Sequence, residues 1–237
     1  MNATSLNTGY WTELPAKKII GQNAEPNTEL FERLSPHTHI LDLGCGNGSV
    51  SEVLSAHGYH VTGVDLNTEA IRAGQNRNSA VTYLVGDVLK GLPFEDASFD
   101  AVVLSFVLVN IIPQAEREKA VRELRRVLKP GGYVWVNEGT ASEEYALRYT
   151  LSYPYTHEER SFFVYREGTS SKDIQTAEQL AQAVAEKRVA RIAHHFTNEE
   201  LRELFNGFKE VFFEASATQS PNSKMRINMS TWIFEKV

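Results

Sequence analysis

The chain of 237 residues has one cysteine, Cys45, and no apolar run long enough to cross a membrane. A lone cysteine cannot form an internal disulfide, which is typical of a reducing compartment. The longest apolar runs, such as AVVLSFVLV at 101–109, have about half the length of a membrane-spanning helix and indicate buried strands instead. The first residues also lack the charged and apolar regions of a signal peptide. We therefore expect a cytoplasmic protein without membrane association.

Clusters of basic residues and of metal-ligating residues are missing as well. The formal net charge of -6 would repel a phosphate backbone, so nucleic acid is not expected as a partner. No spaced cluster of histidines or carboxylates indicates zinc or magnesium, so no metal is expected. The partner that fits is a small-molecule substrate, and the protein is expected to be a monomer or a homodimer.

Short β-branched runs alternate with amphipathic helical patterns through the first 140 residues. This alternation predicts an α/β fold in which helices cover both faces of a mostly parallel sheet, and the length predicts a single domain over 1–237. The candidate strands are 39–43, 60–65, 81–85, 99–105 and 132–138, and the candidate helices lie near 48–57, 68–77 and 115–128.

The alternation ends after residue 140. Residues 141–196 form a polar and aromatic insertion with one helix candidate, which a capping box of Thr176 and Gln179 opens. A second capping box, Thr197 with Glu200, opens another short helix. The last two apolar runs are joined by the turn-rich sequence QSPNSK and predict an antiparallel hairpin.

The stretch HILDLGCGNGSV at 39–50 carries glycines at 44, 46 and 48. It almost spells the dinucleotide-binding fingerprint, but position 49, where the third glycine of that fingerprint falls, is serine. A strand that ends in small residues and leads into a helix exposes backbone N–H groups and the positive end of the helix dipole. The loop therefore predicts a ligand site, with a tight turn that holds no ligand as the alternative.

Acidic residues follow the next two strands. Asp65 ends the second strand, about 20 positions beyond the loop, where a carboxylate can accept both hydroxyl hydrogens of a ribose. Because the glycine that packs a helix against a pyrophosphate is missing, a nucleoside without phosphates is favoured. Asp87 follows the third strand, where it could accept the amino hydrogens of adenine or only cap a turn after Gly86.

Four segments, ILDLGCGNG, VTGVDLN, GDVLKGLPFEDASFDAVV and LRRVLKPGGYVWV, occur in an order and spacing that resemble the class I S-adenosylmethionine-dependent methyltransferases of the small-molecule type. The resemblance covers about residues 38–140. It implies a Rossmann-like, seven-stranded, mostly parallel sheet with a C-terminal antiparallel hairpin. It also implies S-adenosylmethionine as the cofactor, which carries no phosphate.

The same resemblance implies the residues that bind the cofactor. Their expected roles run from the methionine part of the cofactor to its ribose, its adenine and its sulfonium. The methionine part would contact Asp42 and the backbone of Gly44, Cys45 and Gly46. The ribose would contact Asp65, and the adenine would contact Leu66, Asp87 and Val88. The sulfonium would lie near Ser105.

The N-terminal segment, 1–35, carries Tyr10 and Trp11 ahead of the first strand. By resemblance we expect it to form a helical lid that folds over the bound cofactor. The alternative is a helix that only packs on the sheet.

A sulfonium methyl group is electrophilic, so the protein mainly contributes position and electrostatics, with a general base where the acceptor must lose a proton. His194, His195 and Glu138 are the candidate bases. Each has a structural alternative, since the histidines could be packed or exposed to solvent and Glu138 could pair with an arginine.

The insertion at 141–196 is expected to be a cap that binds the acceptor, since it leaves the sheet at the edge where α/β folds bind ligands. Its aromatic residues Tyr145, Tyr149, Tyr153 and Tyr155 could enclose a flat or cationic molecule. We expect methyl transfer by in-line displacement to an oxygen or nitrogen of an aromatic or heterocyclic molecule. A structural cap or a dimer face is the alternative role of these rings.

Two other classes of function stay open at this point. The chain could bind or sense S-adenosylmethionine without catalysis. A nicotinamide-dependent oxidoreductase is disfavoured by Ser49 and by LKPGGYVWV, which that fold does not require.

Overall fold

The fold is taken from a computed structural model that describes residues 3–15, 26–156, 158–166, 168–170, 173–219 and 226–237, without the side chains of 144, 153–155, 218, 219, 226 and 227. Two helices, α1 (Ala3–Glu13) and α2 (Thr28–Phe31), precede the first strand. The alternating part consists of β1 (His39–Leu43), α3 (Ser49–Ala56), β2 (His60–Asp65), α4 (Thr68–Arg77), β3 (Thr82–Val85), β4 (Phe99–Ser105), α5 (Gln114–Val127) and β5 (Leu128–Thr140).

The remaining elements form the insertion at 141–196, helix α8 and the C-terminal hairpin. An antiparallel pair of β6 and β7, with helix α7 between them in the chain, was not predicted, because its strands mix polar, basic and aromatic residues without a clean period of two. These elements are α6 (Ala146–Thr156), β6 (Ser161–Tyr165), α7 (Ala177–Ala185), β7 (Val189–His194), α8 (Asn198–Leu204), β8 (Phe208–Gln219) and β9 (Arg226–Lys236).

The main sheet has seven strands in the order β3-β2-β1-β4-β5-β9-β8. The pairs among β1 to β5 are parallel, and β9 runs antiparallel to both β5 and β8. The predicted mostly parallel sheet with a C-terminal antiparallel hairpin is thus confirmed. The parallel order reverses at β1 and β4, so the ligand crevice of such a sheet lies beyond the carboxyl ends of these two strands.

Strand β5 begins earlier than the sequence predicts. The KPGG segment was expected to separate α5 from a strand at 132–138, but Leu128 already pairs with Phe99 of β4. The register shifts before Tyr133 pairs with Ala101, so the two glycines lie in an irregularity of the strand. Gly131 has a φ of 73°, in the left-handed region that glycine tolerates.

The core lies on both faces of the sheet because alternate side chains of each strand point to opposite faces. In β9, Trp232 and Phe234 pack on one face and Ile233 on the other, and all three are buried. Both capping boxes, at Thr176 and Thr197, form as predicted. No helix within the described residues is long and apolar enough to cross a membrane.

A buried ion pair joins the insertion at 141–196 to helix α5. Arg117 of α5 is 2% exposed and donates to both carboxylate oxygens of Glu158, at 2.7 and 3.2 Å, and to the carbonyl of Ile111. Glu158 also accepts from the hydroxyl of Ser161. Hydrogen bonds from Arg117 lower the pKa of Glu158, although burial alone would raise it. The pair therefore holds the start of β6 against α5.

We predict that Glu158→Gln lowers the free energy of unfolding by about 3 kcal/mol, because it leaves the guanidinium of Arg117 buried without an anion. Lys129→Met is the matched control, since it breaks the more exposed pair of Lys129 with Asp100 at 2.7 Å and should cost under about 1 kcal/mol. Urea unfolding of both variants measures the difference. Equal losses would contradict the role of the buried pair.

Candidate active site at the carboxyl edge of the sheet

The glycine loop between β1 and α3 needs its glycines for two physical reasons. Gly44, Gly46 and Gly48 have φ angles of 73°, 54° and 90°, which other residues rarely adopt. A Cβ atom at Gly48 would also lie 2.0 Å from the hydroxyl oxygen of Tyr83, which packs beneath the loop. The loop is thus held by a tyrosine below it, and its upper side presents backbone to the crevice.

Asp65, at the end of β2, lies beside this loop. Its carboxylate accepts hydrogen bonds from the backbone N–H of Gly46 at 2.9 Å and of Asn67 at 2.8 Å. Burial raises its pKa, and these backbone N–H groups oppose that effect. The loop and the acidic residue that were predicted to share one ligand are therefore in direct contact, with Leu66 next to them.

Asp42 and Cys45 lie on the protein side of the loop. Asp42 is 2% exposed and accepts a hydrogen bond of 2.6 Å from the hydroxyl of Ser51 in α3. Burial raises its pKa to about 7. Burial likewise raises the pKa of the Cys45 thiol, which disfavours the thiolate that a nucleophile would require. Both residues support the loop from below.

Asp87 follows β3 and caps a short 3-10 turn over 88–90. One carboxylate oxygen accepts from the N–H of Leu89 at 2.9 Å, and the other lies 3.3 Å from the amine of Lys90. Val88 is buried in the core. Asp87 therefore caps a turn, which was one of the two roles that the sequence left open. A ligand at Asp87 would bind a carboxylate that already has hydrogen-bond and ion-pair partners.

Helix α1 crosses the segments that follow β2 and β4. The side chain of Asn67 donates to the carbonyls of Trp11 and Leu14, both at 2.7 Å. At the other side, Asn7 donates to the carbonyl of Asn110 at 2.6 Å. These contacts place Tyr10 and Trp11 at the carboxyl edge of the sheet.

Several buried polar atoms at this edge have no hydrogen-bond partner within the described chain. Among them are the hydroxyl of Ser105, at the end of β4, and the indole nitrogen of Trp11. Buried polar atoms are nearly always paired, so such atoms in a crevice indicate groups that a ligand would satisfy. Together with the exposed loop backbone and Asp65, they fit a nucleoside with a polar tail.

Glu138, near the end of β5, is fully buried and holds the turn that follows β4. Its carboxylate accepts from the backbone N–H groups of Val107 at 2.9 Å, Leu108 at 2.7 Å and Val109 at 3.3 Å. Burial raises its pKa to about 8, while the three N–H groups oppose the shift. With both oxygens engaged by backbone N–H groups, Glu138 positions the turn.

His195 lies in an aromatic cluster beside the end of β5. Its Nδ1 is 2.8 Å from the hydroxyl of Tyr149, and its ring packs on Tyr145 and Phe162 with centroids 4.6 and 4.7 Å away. Burial lowers the pKa of His195 to about 3, and neighbouring cations add to the effect. The insertion thus brings two of the four predicted tyrosines to one histidine. The side chains of Tyr153 and Tyr155 lie outside the described part of the chain.

His194 points to the opposite side of β7 from His195. Its Nδ1 lies 3.0 Å from the hydroxyl of Ser161, and its Nε2 lies 3.3 Å from the carboxylate of Glu200. It is fully buried, and burial lowers its pKa. The two neighbouring histidines therefore have different surroundings, and His194 belongs to the network between β6 and α8.

Sequence reasoning missed four polar residues that organise this edge: Asn7, Asn67, Asn110 and Arg191. Asn67 alone had a local signal, since it caps α4 in DLNTEA and accepts from the N–H of Ala70. Arg191 of β7 lies over the rings of Tyr10 and Trp11, at 5.8 and 5.1 Å, and donates to the side chain of Asn110 at 2.6 Å. No group of three or more potential metal ligands occurs among the described residues.

Comparison with known proteins shows what this chain is similar to. Residues 41–136 match the family model described as methyltransferase domain. Malonyl-acyl-carrier protein O-methyltransferase of Erwinia pyrifoliae is 36% identical over 139 residues, which cover 54% of this chain and 51% of that enzyme. Demethylmenaquinone methyltransferase of Clavibacter sepedonicus is 41% identical over 102 residues, which cover 42% of this chain and 40% of that enzyme. The chain spans about half the length of the curated relatives it matches.

The crystal structure of an S-adenosylmethionine-dependent methyltransferase from Methanosarcina mazei matches over more of the chain. Its TM-score is 0.78 at 28% identity, and the match covers 90% of this chain and 99% of that chain. A match over 90% of this chain includes part of the insertion at 141–196 as well as the sheet.

We predict that Glu138→Ala lowers the free energy of unfolding by about 3 kcal/mol, because three buried backbone N–H groups lose their acceptor. Glu138→Gln should cost about half as much, since its amide oxygen can still accept from Val107 and Leu108. Urea unfolding gives both values. An alanine variant as stable as the parent chain would exclude the role of Glu138 in holding the turn.

Proposed function

We infer that the chain belongs to the class I S-adenosylmethionine-dependent methyltransferases, and we propose that it transfers the methyl group of this cofactor to an oxygen or nitrogen of a small molecule. The observation that carries the proposal is the contact between the glycine loop and Asp65 at the switch point of the sheet, Gly46 N–H to carboxylate at 2.9 Å. The names of two relatives, malonyl-acyl-carrier protein O-methyltransferase and demethylmenaquinone methyltransferase, support a small acceptor group.

The residues of the carboxyl edge fit the cofactor. Asp65 would accept from the ribose hydroxyls, because a carboxylate with two backbone donors keeps lone pairs for further hydrogen bonds. Leu66 and Val88 would contact the adenine, with Asp87 near its amino group. The backbone of Gly44, Cys45 and Gly46 would face the methionine part, with Asp42 beneath it.

Helix α1 would close over the bound cofactor with Tyr10 and Trp11. Its hydrogen bonds to the segments after β2 and β4 support this role over simple packing on a sheet face. The orphan hydroxyl of Ser105 and the orphan indole nitrogen of Trp11 would then find partners.

The bound cofactor supplies an electrophilic methyl group, so the chain's own task is to orient the acceptor and exclude water. Tyr145, Tyr149 and Phe162 form an aromatic wall for a flat acceptor, and Tyr153 and Tyr155 on the same helix are proposed to extend it. Of the three proposed bases, His195 alone faces this wall, because Glu138 is engaged with the turn and His194 points away.

A protein that binds S-adenosylmethionine without catalysis is the second candidate function. It would use the same loop and Asp65 but would not need the aromatic wall beside β5. The cytoplasmic location and the monomeric or dimeric state expected from the sequence stay predictions.

We predict that Asp65→Asn weakens binding of S-adenosylhomocysteine by about tenfold or more, because a charge-assisted acceptor of two hydroxyls is lost. Asp87→Asn should have a smaller effect, since that carboxylate is shared with Leu89 and Lys90. Titration calorimetry with both variants tests the order. A folded Asp65→Asn variant with the parent affinity would remove Asp65 from the cofactor site.

We predict that Asn7→Ala weakens binding of S-adenosylhomocysteine by about tenfold, because α1 loses its hydrogen bonds to Asn110 and to the backbone of Ile192. The matched control is Thr12→Ala, whose hydroxyl bonds only to the backbone of α1 itself. Calorimetry gives the affinities, and hydrogen exchange reports whether α1 has loosened. An unchanged affinity with a loosened α1 would show that the helix is no part of the cofactor site.

A further inference from the structure

The hydrogen bonds around Tyr149 assign the tautomer of His195. A backbone hydrogen bond from Ser142 reaches the hydroxyl of Tyr149, so this oxygen already accepts. The buried phenol must place its single hydrogen on an acceptor, and the acceptor it reaches is Nδ1 of His195, at 2.8 Å. A neutral imidazole that accepts at Nδ1 carries its hydrogen on Nε2. His195 therefore offers a donor, and a base at Nε2 is excluded in this state.

The donor atom lies at the end of β5. A Cβ atom at Gly139 would lie 3.3 Å from Nε2 of His195 and 3.7 Å from a methyl group of Val109, so the missing side chain makes room for the imidazole. Within the described part of the chain, no residue accepts a hydrogen bond from this Nε2. Its N–H is thus available to a ligand beside the turn that Glu138 holds.

Arg191 lies on the same face of β7, because positions 191, 193 and 195 alternate with 192 and 194. Its guanidinium contacts the rings of Tyr10 and Trp11 and the side-chain oxygen of Asn110. Among the described residues no carboxylate lies within ion-pair distance of it, and its buried Nε has no partner. A buried cation without an anion is costly, so a ligand that brings the anion would be stabilised.

The aromatic faces of this region already hold cations of the protein itself. Arg191 covers Tyr10 and Trp11, and the guanidinium of Arg148 lies 5.0 Å from the ring centre of Tyr145. The rings of Tyr10, Trp11 and Tyr145 each carry one of these guanidinium groups, and the side of β7 that faces α1 and the aromatic wall carries positive charge. This positive charge disfavours the cationic molecule that the tyrosines alone suggested.

We propose that the acceptor carries an acid group of the carboxylate class, which the guanidinium of Arg191 and the Nε2–H of His195 bind together. The inference rests on the proposed function and adds the chemistry by which the acceptor is recognised. Tyr149 is then a positioning residue, since it fixes the tautomer of His195.

The test is titration calorimetry on the protein saturated with S-adenosylhomocysteine. The probes are matched pairs of an acid and its amide: salicylate with salicylamide, 4-hydroxybenzoate with its amide, and indole-3-acetate with its amide. We expect acids to bind about tenfold or more tightly than their amides. Arg191→Met should abolish this preference, and Arg166→Met, which removes an exposed charge near the end of β6, should keep it.

Variants of His195 separate a donor from a base. The amide N–H of His195→Gln can replace the Nε2–H, so this variant should keep the preference for acids over amides. The affinity of His195→Leu for the acids should fall about tenfold. A glutamine variant as weak as the leucine variant would overturn the donor role.

Two further outcomes keep the inference apart from the proposed function. Failure of the parent protein to bind S-adenosylhomocysteine would overturn the proposed function. Normal binding of S-adenosylhomocysteine without any preference for acids would overturn the inference alone. If Arg191→Met lowers the affinity for S-adenosylhomocysteine itself about tenfold, the arginine binds the carboxylate of the cofactor, and its assignment to the acceptor is wrong.

Discussion

The carboxylate of Glu138 connects most of what has been described at the carboxyl edge. It accepts hydrogen bonds from three consecutive backbone N–H groups after β4 in a fully buried site, where such bonds are strong and costly to lose. The turn it fixes leads to Asn110, which accepts from both Arg191 and Asn7. The end of β5 thus supports α1 through Asn110, in addition to the direct hydrogen bonds of Asn7 with the backbone of Ile192 in β7.

The sequence allowed the sheet to be predicted because its strands are short apolar runs separated by strong stop signals. Because these strands are buried on both faces, nearly every residue in each run is apolar. The strands can therefore be recognised without an alternation of polar and apolar residues. The helix starts at Thr176 and Thr197 were also found, since a capping box depends on residues three positions apart. The irregular start of β5 was missed, because Pro130 and two glycines normally end an element.

The aromatic wall was found only in part, for a physical reason. Composition placed tyrosines in the insertion, but the contact of Tyr149 with His195 spans 46 positions and depends on how α6 packs on β6. Likewise, no sequence pattern near Arg191 shows that its guanidinium lies over the rings of Tyr10 and Trp11 in α1. Contacts of this kind follow from the tertiary fold, and a single sequence carries no local signal for them.

The side chain of Asn7 imitates a neighbouring strand. Its oxygen accepts from the N–H of Ile192 and its nitrogen donates to the carbonyl of the same residue, both at 2.8 Å, as a paired strand would do. Strand β7 has β6 on one side only, and such an open edge invites pairing with another chain. The side-chain amide of Asn7 occupies the centre of that edge, so α1 prevents a strand of another chain from pairing with β7. Loosening of α1 would therefore expose this edge and favour aggregation.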